Sequence, residues 1–306
     1  MNLLLKRNVF LKPLSTFKIG GRAEYFLRAK KPDDLLEAVD WAKQNKTPHK
    51  VFAGGSNIVF PDGKLKGLLI QFLGGKIEIV KPRTIIVDAG ISLKDVIQKS
   101  INLGLSGLET LSGIPGTIGG AVVGNAGAYG HSISEVVEKI EIWDGKKRGW
   151  LSKKQCHFSY RESAFKEKGS HLILRAVLKF KKDKTQELKK ISREIIKIRL
   201  KKYKPNLKCP GSFFKNVLLK DVSKKALKLI DQTKIIEGKI PAGYLLEQVG
   251  AKGMKCGGIK IANFHSNLFI NHGKGTMRDV KKLATILKKK VMKKFGILLE
   301  KEVKYF

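Results

Sequence analysis

The sequence of 306 residues predicts an α+β fold, because an α/β opening is followed by a middle section in which dense strands and helices are mixed. It begins with a strand, a helix and a strand, and continues with closely spaced strands around one amphipathic helix. Two glycine-rich loops interrupt these elements, and the longer one lies in an almost uncharged stretch over 104–129. Such loops let the backbone approach a ligand closely, so we expect a mixed fold with a loop-built binding site.

The first part of the chain contains a glycine turn and then a strand within 15–30. A helix is predicted over Pro32–Gln44, because proline suits the first helical position and Asp33 and Asp34 lie near the positive end of the helix dipole. The strands predicted after it span 50–52, 58–60 and 65–72, with the loop AGGSN at 53–57 between the first two.

The middle part is rich in strands and has two predicted helices, over 93–103 and 185–204. In the second helix Leu188, Ile191, Ile195 and Ile198 recur at helical spacing, so we expect them to face the core. The strands predicted here span 76–80, 84–90, 137–144, a segment ending at Leu151, and 171–180.

The last hundred residues begin with a Pro/Gly element over 204–216. A short helix, a helix over 240–250 and a strand over 267–273 are predicted next. The final helix is predicted over Met277–Phe295, with Val280, Leu283, Leu287 and Val291 inward, and 297–306 is predicted to be a strand.

The charge of the chain is extreme, with 62 Lys and Arg residues against 26 Asp and Glu and a formal net charge of +36. Such a charge favours anionic partners, but the lysines are scattered in pairs and triplets, as is typical of solvated faces. No helix-turn-helix, aromatic RNA-binding pattern or zinc spacing accompanies them. A basic nucleic-acid-binding protein is therefore an alternative that rests on charge alone, and we expect no nucleic-acid partner.

The cysteines and the N-terminus indicate a cytoplasmic protein. Cys156, Cys209 and Cys256 are odd in number and form no C-x-x-C pair, which disfavours disulfides and zinc and favours a reducing compartment. The histidines do not fall at metal-ligand spacings, so we expect no metal site. The apolar N-terminal triplet precedes its charges, the reverse of a secretory signal, and no apolar run reaches about 18 residues. We expect no membrane partner.

The two glycine-rich loops, AGGSN at 53–57 and GIPGTIGG at 113–120, match neither common phosphate-binding motif. There is no GK[ST] of a P-loop, and Gly113, Gly116 and Gly119 are spaced by three rather than as G-x-G-x-x-G. Either loop alone could be a set of surface turns. Together they predict a dinucleotide whose pyrophosphate and ring are held by two backbone loops in a non-Rossmann fold.

Five ordered blocks resemble the UDP-N-acetylenolpyruvoylglucosamine reductase family: GGSN at 54–57, the stretch 106–130, FSYRESAF at 158–165, GSFFKN at 211–216 and LEKEV at 299–303. They cover nearly the whole chain in the family's order. The short segment before GSFF resembles the subclass that lacks a tyrosine-bearing loop. The resemblance implies an NADPH-dependent flavoenzyme that reduces UDP-N-acetylglucosamine enolpyruvate to UDP-N-acetylmuramate, a peptidoglycan precursor.

The resemblance also implies a two-subdomain FAD-binding fold of the vanillyl-alcohol-oxidase type, followed by a C-terminal α+β substrate domain. The implied boundaries are 1–72 and 73–204 for the FAD-binding subdomains and 205–306 for the substrate domain. The implied FAD-binding residues are Gly54, Gly55, Ser56, Asn57, Ile58, Ile114, Pro115, Gly116, Thr117, Ile118, Gly119, Gly120, Asn125, Ala126, Gly127 and Arg199. For Asn57 and Asn125, a turn residue is the alternative, and for Arg199 it is a solvated surface residue.

By the same resemblance, the chemistry is assigned to Arg161, Ser212 and Glu302. Hydride transfer to C3 of the enolpyruvyl group leaves carbanion character at C2, beside a carboxylate. That charge needs a fixed cation and a proton donor, the roles implied for Arg161 and Ser212. Glu302 matches the family's glutamate beside the carboxylate, and Glu300 is the rival candidate.

Tyr160, Lys202, Lys215, Asn216 and Gln248 are the implied substrate-binding residues. Lys202 could equally be solvated surface, and Gln248 could be structural, as could His265. The chain departs from the family at two places. Val217 replaces the usual proline, which could loosen the turn at Asn216, and the chain stops at Phe306, which places Glu302 near a free end.

The enzymatic alternative is a flavin oxidase of the same FAD fold that acts on a carbohydrate. Such oxidases often bind FAD covalently through a histidine, and His131 is the nearest candidate. For the main interpretation we expect a monomer whose partners are NADPH and the UDP-sugar.

Overall fold

The structure is a computed structural model that describes residues 4–166, 171–204 and 206–306. Its strands are β1 (Lys6–Phe10), β2 (Arg22–Ala29), β3 (His49–Phe52), β4 (Ile58–Val59), β5 (Lys64–Phe72), β6 (Ile77–Lys81), β7 (Thr84–Asp88), β8 (Leu105–Ser106), β9 (Gly127–Ala128), β10 (His131–Ser132), β11 (Val137–Trp143), β12 (Arg148–Ser152), β13 (Leu172–Lys179), β14 (Lys181–Lys182), β15 (Val217–Leu218), β16 (Lys239–Ile240), β17 (Lys255–Cys256), β18 (Ile259–Ala262), β19 (His265–Asn271) and β20 (Lys304–Tyr305). Its α-helices are α1 (Pro32–Gln44), α2 (Leu93–Asn102), α3 (Ile118–Val123), α4 (Thr185–Lys202), α5 (Lys224–Leu227), α6 (Ala242–Glu247) and α7 (Met277–Phe295).

The chain forms two compact units, each built from separate segments. Unit 1 comprises Met1–Val9, Ala23–Gly54 and Lys66–Lys201, and unit 2 comprises Phe10–Arg22, Gly55–Leu65 and Lys202–Phe306. The division into 1–72, 73–204 and 205–306 concerns which ligand each part binds, and it stays a prediction.

Unit 1 contains two principal sheets around one hydrophobic core. The four-stranded sheet has the order β1-β2-β5-β3, and β3 runs parallel to β5. The five-stranded sheet has the order β12-β11-β13-β7-β6 and is antiparallel throughout. Strands and helices both contribute to the core, as shown by Leu35 of α1, Ile70 of β5, Val87 of β7 and Val96 of α2.

Unit 2 combines a three-stranded antiparallel sheet, in the order β17-β18-β19, with the long helix α7. Two short pairs complete it, β15 with β16 antiparallel and β20 with β4 parallel. Its core contains a cluster of phenylalanines, in which the rings of Phe213 and Phe269 stack at 3.9 Å between centroids. Apolar residues on one face of α7 pack into the same core.

Local sequence signals set both ends of α7. The hydroxyl of Thr276 accepts a hydrogen bond from the N–H of Asp279, and the two residues form a capping box. The carboxylate of Asp62 accepts hydrogen bonds from the first two N–H groups of α7, those of Met277 (2.6 Å) and Arg278 (3.2 Å). At the other end Gly296 adopts a φ of +69°, as expected of the residue that follows a helix. Pro32–Gln44 and Met277–Phe295 are helices over the predicted ranges.

The prediction for α4 was wrong in part. The helix ends at Lys202 rather than 204, and only Leu188 and Ile195 of its four-residue stripe are buried. Ile198 is 51% exposed. Of the four residues, only Leu188 belongs to the hydrophobic core of unit 1, so α4 is a surface helix that buries only part of the predicted stripe.

Two predictions for the last hundred residues need correction, and one element was not predicted. The predicted strand over 297–306 is confined to Lys304–Tyr305, with one isolated bridge between Phe214 and Lys301. The helix predicted over 240–250 is α6, which is shorter because Pro241 precedes it and Gly250 has a φ of +70°. The hairpin of β17 and β18 was not predicted. In the described ranges, no helix combines the length and apolar composition needed to cross a membrane.

Candidate functional site

The first predicted cofactor loop, residues 54–57, follows β3 and requires glycine at Gly55. This residue is buried and has a φ of +66°, in the left-handed region that favours glycine. A Cβ atom here would lie 2.1 Å from the carbonyl oxygen of Leu14. The N–H of Thr16 donates to the carbonyl of Gly55 (3.1 Å), and its hydroxyl donates to the carbonyls of Ser56 (3.4 Å) and Cys209 (2.8 Å). The STFKIGG segment therefore holds this part of the loop within unit 2.

The second predicted loop, residues 113–120, lies against the end of β7. Gly116 has a φ of +121°, and the hydroxyl of Thr117 accepts the N–H of Gly120 (3.3 Å) at the start of α3. The N–H of Gly119 donates to the carbonyl of Ala89 (2.8 Å). A Cβ atom at Gly119 would lie 3.0 Å from the Ala89 side chain, so this contact also favours glycine.

The two loops meet within unit 1, although 62 residues separate Gly54 from Gly116 in the sequence. A Cβ atom built on Gly54 would lie 3.3 Å from the Cα of Gly116, so side chains would fill the space between the loops. Over the described residues, the N–H groups of Gly54 and Gly116 donate to no protein acceptor. Two bare backbone segments with available donors fit the pyrophosphate of a dinucleotide such as FAD.

The apolar members of the predicted cofactor set lie in or beside the cores. Ile118 is buried in α3, and Ile114 and Ala126 pack against the core of unit 1. Ile58 is buried in β4 of unit 2. Pro115 lies between Ile114 and Gly116 in the second loop. Most of these residues therefore pack in or against a hydrophobic core, and their contacts with a flavin stay predictions.

Asn125 links the predicted flavin segment to the FSYRES segment. It is buried, with a φ of +39°. Its amide nitrogen donates to the carbonyl of Ser159 (2.9 Å), and its amide oxygen accepts the N–H of Ser134 (3.3 Å). Asn125 is therefore a turn residue, the alternative considered from the sequence, and it also positions the backbone just before Tyr160 and Arg161.

Arg161 is held by several contacts within unit 1. Its Nη2 donates to the carbonyl of Gly127 (2.8 Å), and its guanidinium lies 5.3 Å from the centroid of the Tyr160 ring. Its own backbone has a φ of +57°, and its carbonyl accepts a hydrogen bond from Lys166. The structure thus places Arg161 beside the predicted flavin segment at Gly127.

Arg199 lies against the second glycine loop. A Cβ atom at Gly113 would lie 3.2 Å from both Cδ and Nε of Arg199. The hydroxyls of Ser192 and Ser112 lie 2.8 Å apart and join α4 to the same loop. Lys202 is exposed at the end of α4, with its ammonium 5.7 Å from the centroid of the Tyr203 ring.

Ser212 and Glu302 lie on paired segments of unit 2. Phe214 and Lys301 form an antiparallel bridge, and the N–H of Glu302 donates to the carbonyl of Phe213 (2.8 Å). The structure thereby brings Glu302 beside the residue that follows Ser212. On its other side, Ser212 bridges Leu268, and its hydroxyl lies 3.1 Å from the hydroxyl of Tyr203.

The same pairing separates the two candidate glutamates. Lys215 is buried, and its ammonium lies 2.6 Å from the carboxylate of Glu300. The N–H of Lys215 also donates to the carbonyl of Glu300 (2.9 Å). Both contacts make Glu300 a partner that orients the side chain of Lys215. Glu302 remains our candidate for the substrate carboxylate.

Hydrogen bonds and strand pairing hold the backbone at both departures from the family pattern. The amide oxygen of Asn216 accepts the N–H of Ala242 (3.1 Å), and Val217 pairs with Ile240 in the β15–β16 ladder. Near the C-terminus, the amide of Asn57 donates to the carbonyl of Glu302 (3.2 Å), and the N–H of Lys304 donates to the carbonyl of Asn57 (3.0 Å). The end of the chain is therefore anchored on both sides of Glu302.

Of the two other candidates, Gln248 lies apart from these segments, whereas His131 lies on β10, which pairs with β9 at Gly127–Ala128. Gln248 is exposed at the end of α6, where its backbone carbonyl accepts a hydrogen bond from Lys294 (2.7 Å). His131 is exposed on β10, with Nδ1 2.9 Å from the carboxylate of Glu135. In the ranges that the structure covers, no group of three His, Cys, Asp or Glu side chains is placed to hold a metal ion.

Tyr203 was not predicted as a site residue, and the choice between a functional and a structural role for His265 stays open. Burial, and to a smaller extent the nearby positive charge of Lys202, lowers the pKa of His265 to about 4. Its Nδ1 accepts the N–H of Asn267 (3.1 Å), and its ring lies 6.4 Å from that of Tyr203. Tyr203 lies in a run of lysines with no motif around it, and only the fold reveals its contact with Ser212.

Comparisons with known proteins agree with this geometry. The model of an FAD binding domain matches residues 23–148, and that of the UDP-N-acetylenolpyruvoylglucosamine reductase C-terminal domain matches residues 203–306. A reductase of that name from Solibacter usitatus is 40% identical over 304 residues, covering 99% of this chain and 97% of the relative. One from Caldanaerobacter subterraneus subsp. tengcongensis is 33% identical, covering 96% and 91%.

A solved structure gives the same result for the fold. The UDP-N-acetylenolpyruvylglucosamine reductase of Thermus caldophilus superposes with a TM-score of 0.78 at 26% identity, and the match covers all of both chains. The predicted fold class, an FAD-binding fold followed by a C-terminal α+β domain, is confirmed, as is FAD as the cofactor. The chain belongs to the UDP-N-acetylenolpyruvoylglucosamine reductase family.

Proposed function

We propose that this chain is an FAD-dependent oxidoreductase that reduces UDP-N-acetylglucosamine enolpyruvate to UDP-N-acetylmuramate with NADPH. The observation that carries the proposal is the close approach of Gly54 and Gly116, which gives unit 1 the bare backbone surface that a dinucleotide needs. The relatives that the chain matches over almost its full length carry the name of this reductase.

FAD, when bound, supplies hydride transfer between NADPH and the enolpyruvyl group. Gly54 and Gly116 would hold its pyrophosphate through their backbone N–H groups, and residues 114–120 would line the flavin. Residues 125–127 would lie along the flavin, and Arg199 would neutralise phosphate charge beside Gly113. The hydrogen bonds of Asn125 support this assignment, because they keep the segment in one conformation.

Arg161 would stabilise the enolate-like charge that develops next to the substrate carboxylate. Its guanidinium is pre-oriented by the carbonyl of Gly127, so little conformational entropy is lost when the carboxylate binds. Tyr160, which lies against the guanidinium, would limit its movement.

Ser212 would donate the proton to C2, and Glu302 would lie beside the carboxylate. The anchoring of Glu302 through Phe213 and Asn57 supports a fixed position for this side chain. Lys215 and Asn216 would bind the UDP-sugar. The ion pair of Lys215 with Glu300 and the bond from Ala242 to Asn216 limit the rotamers of both side chains.

The product would enter the synthesis of peptidoglycan precursors, and through it cell shape and division. A cytoplasmic location is consistent with the three free cysteines. The monomeric state stays a prediction, which light scattering of the purified protein tests. The net charge of +36 would attract three polyanions, which are FAD, NADPH and the UDP-sugar.

A visible absorbance experiment under anaerobic conditions tests the proposed function. We expect the purified protein to bind FAD, the flavin absorbance to bleach when NADPH is added, and the absorbance to return when UDP-N-acetylglucosamine enolpyruvate follows. Protein that remains colourless after FAD is added, or flavin that stays reduced in the presence of the enolpyruvyl substrate, would refute the proposal.

A further inference from the structure

The hydroxyl of Tyr203 is the side-chain neighbour of the predicted proton donor. The oxygen atoms of Tyr203 and Ser212 lie 3.1 Å apart, at hydrogen-bond distance. Both side chains are partly buried, and both belong to unit 2. Tyr203 directly follows α4, and Ser212 bridges Leu268 of β19, so separate elements fix the two hydroxyls.

The direction of this hydrogen bond decides whether Ser212 can act as an acid. If Ser212 donated to Tyr203, its hydrogen would be occupied and directed away from a substrate. A phenol, with a pKa near 10, is a stronger hydrogen-bond donor than an aliphatic hydroxyl. A bond that runs from Tyr203 to Ser212 Oγ leaves the Ser212 hydrogen available for another acceptor.

Lys202 and His265 lie near the ring of Tyr203. The ammonium of Lys202 lies 5.7 Å from the ring centroid, in the range of cation–π attraction. The ring of His265 lies 6.4 Å away, tilted by 33°. Burial lowers the pKa of His265 to about 4, so its imidazole is uncharged near pH 7.

We propose that Tyr203 is a positioning residue that donates a hydrogen bond to Ser212 Oγ and directs the Ser212 hydrogen to C2 of the substrate. This inference rests on the proposed function. In the step, the electron pair at C2 forms the new C2–H bond while the Ser212 O–H bond breaks. The hydrogen bond from Tyr203 stabilises the negative charge that develops on Ser212 Oγ as its proton leaves, and water then returns one proton to the pair of hydroxyls.

Stopped-flow half-reactions of the FAD-loaded enzyme test the inference, beginning with the wild-type chain. In Tyr203→Phe we expect reduction of the flavin by NADPH to stay within about two-fold of wild type. Its reoxidation by the enolpyruvyl substrate should slow by about 10- to 100-fold, the usual size of a hydrogen bond to a charged oxygen, with an unchanged KM. Tyr244→Phe is the matched control: it removes a hydroxyl that accepts the N–H of Asp231 (3.2 Å), and it should leave both half-reactions unchanged.

A double-mutant cycle in unfolding gives a readout that does not depend on activity. The apo forms of Tyr203→Phe, Ser212→Ala and the double variant should show a coupling of about five-fold in the unfolding equilibrium constant. Wild-type reoxidation rates in Tyr203→Phe, or no coupling in the cycle, would overturn the inference. If the wild-type flavin is not reoxidised at all, the proposed function itself fails, and the cycle still reports whether the hydroxyl pair exists.

Discussion

Gly55 and Gly296 allow the steric demand of the first cofactor loop to be measured against an internal control. Their φ values are nearly equal, +66° and +69°. A Cβ atom on Gly55 would lie 2.1 Å from the carbonyl oxygen of Leu14, whereas one on Gly296 would meet nothing within 4 Å. Both residues belong to unit 2, so Gly55→Ala and Gly296→Ala perturb the same compact unit.

The difference between the two variants isolates the contact with Leu14. Placing alanine in the left-handed region costs about 1–2 kcal/mol in either variant. Overpacking of a tight contact adds about 1–3 kcal/mol, and only Gly55→Ala incurs it. We therefore expect Gly55→Ala to lose about 1–3 kcal/mol more unfolding free energy than Gly296→Ala.

Two assays test this reasoning on the same preparations. Urea unfolding of the apo protein gives the free-energy difference, and titration with FAD gives the affinity. Because relief of the contact must move the loop, FAD should bind about ten-fold or more weakly to Gly55→Ala and normally to Gly296→Ala. Equal stability and equal FAD affinity in the two variants would show that the loop does not need glycine at Gly55.

Three further predictions follow from buried polar groups. Gln71→Leu should weaken FAD binding about ten-fold in a fluorescence titration, because the Gln71 amide donates to the carbonyl of Ala53 (3.2 Å), just before the first loop. Asn267→Leu should cost about 2–5 kcal/mol in urea unfolding, because it removes buried hydrogen bonds to both the N–H and the carbonyl of Phe214. The pKa of His265 is about 4 in the folded protein, against 6.5 for an unperturbed histidine. The neutral imidazole therefore contributes its full stabilisation above pH 6.5, and this contribution is lost as the pH falls towards 4. The unfolding free energy should change less between pH 7 and pH 4.5 in His265→Asn than in the wild type.

Matched comparisons make each of these results decisive. Gln98→Leu removes an amide on the exposed face of α2, where it donates only to Asn102, and should leave FAD binding unchanged. Asn45→Leu removes an exposed hydrogen bond to the carbonyl of Trp41 and should cost far less than Asn267→Leu. A His265→Asn variant with the same pH dependence as wild type would contradict the assigned protonation of His265.

Local signals explain why some elements could be predicted from the sequence. Pro32–Gln44 and Met277–Phe295 begin and end at residues whose own chemistry marks a helix boundary, namely Pro32, Thr276 and Gly296. The segment 297–306 carries no such signal. Whether it forms a strand depends on remote partners at 58–59 and 213–215, so its extended pattern could not show how little of it pairs.

The site residues also differ in how far the local sequence predicts them. The glycine loops have a distinctive composition, and the resemblance ordered them with Arg161, Ser212 and Glu302. Tyr203 has neither a distinctive local composition nor a place in the family motifs. Its proposed role depends on a contact with Ser212, nine residues later in the sequence. The resemblance already favoured Glu302 over Glu300, and the ion pair of Glu300 with Lys215 is consistent with that choice.

The pairing of β4 with β20 has a consequence for the order in which the protein can be made. Asn57 and Glu302 are 245 residues apart, and Ile58–Val59 acquires its neighbouring strand only when Lys304–Tyr305 is available. At synthesis rates of about 5–20 residues per second, the earlier segment waits on the order of 10 to 50 s on the ribosome. During that interval the strand after the first glycine loop lacks its partner, so the nascent chain exposes an unpaired strand edge. Completion of unit 2 therefore has to wait until Lys304–Tyr305 has been synthesised.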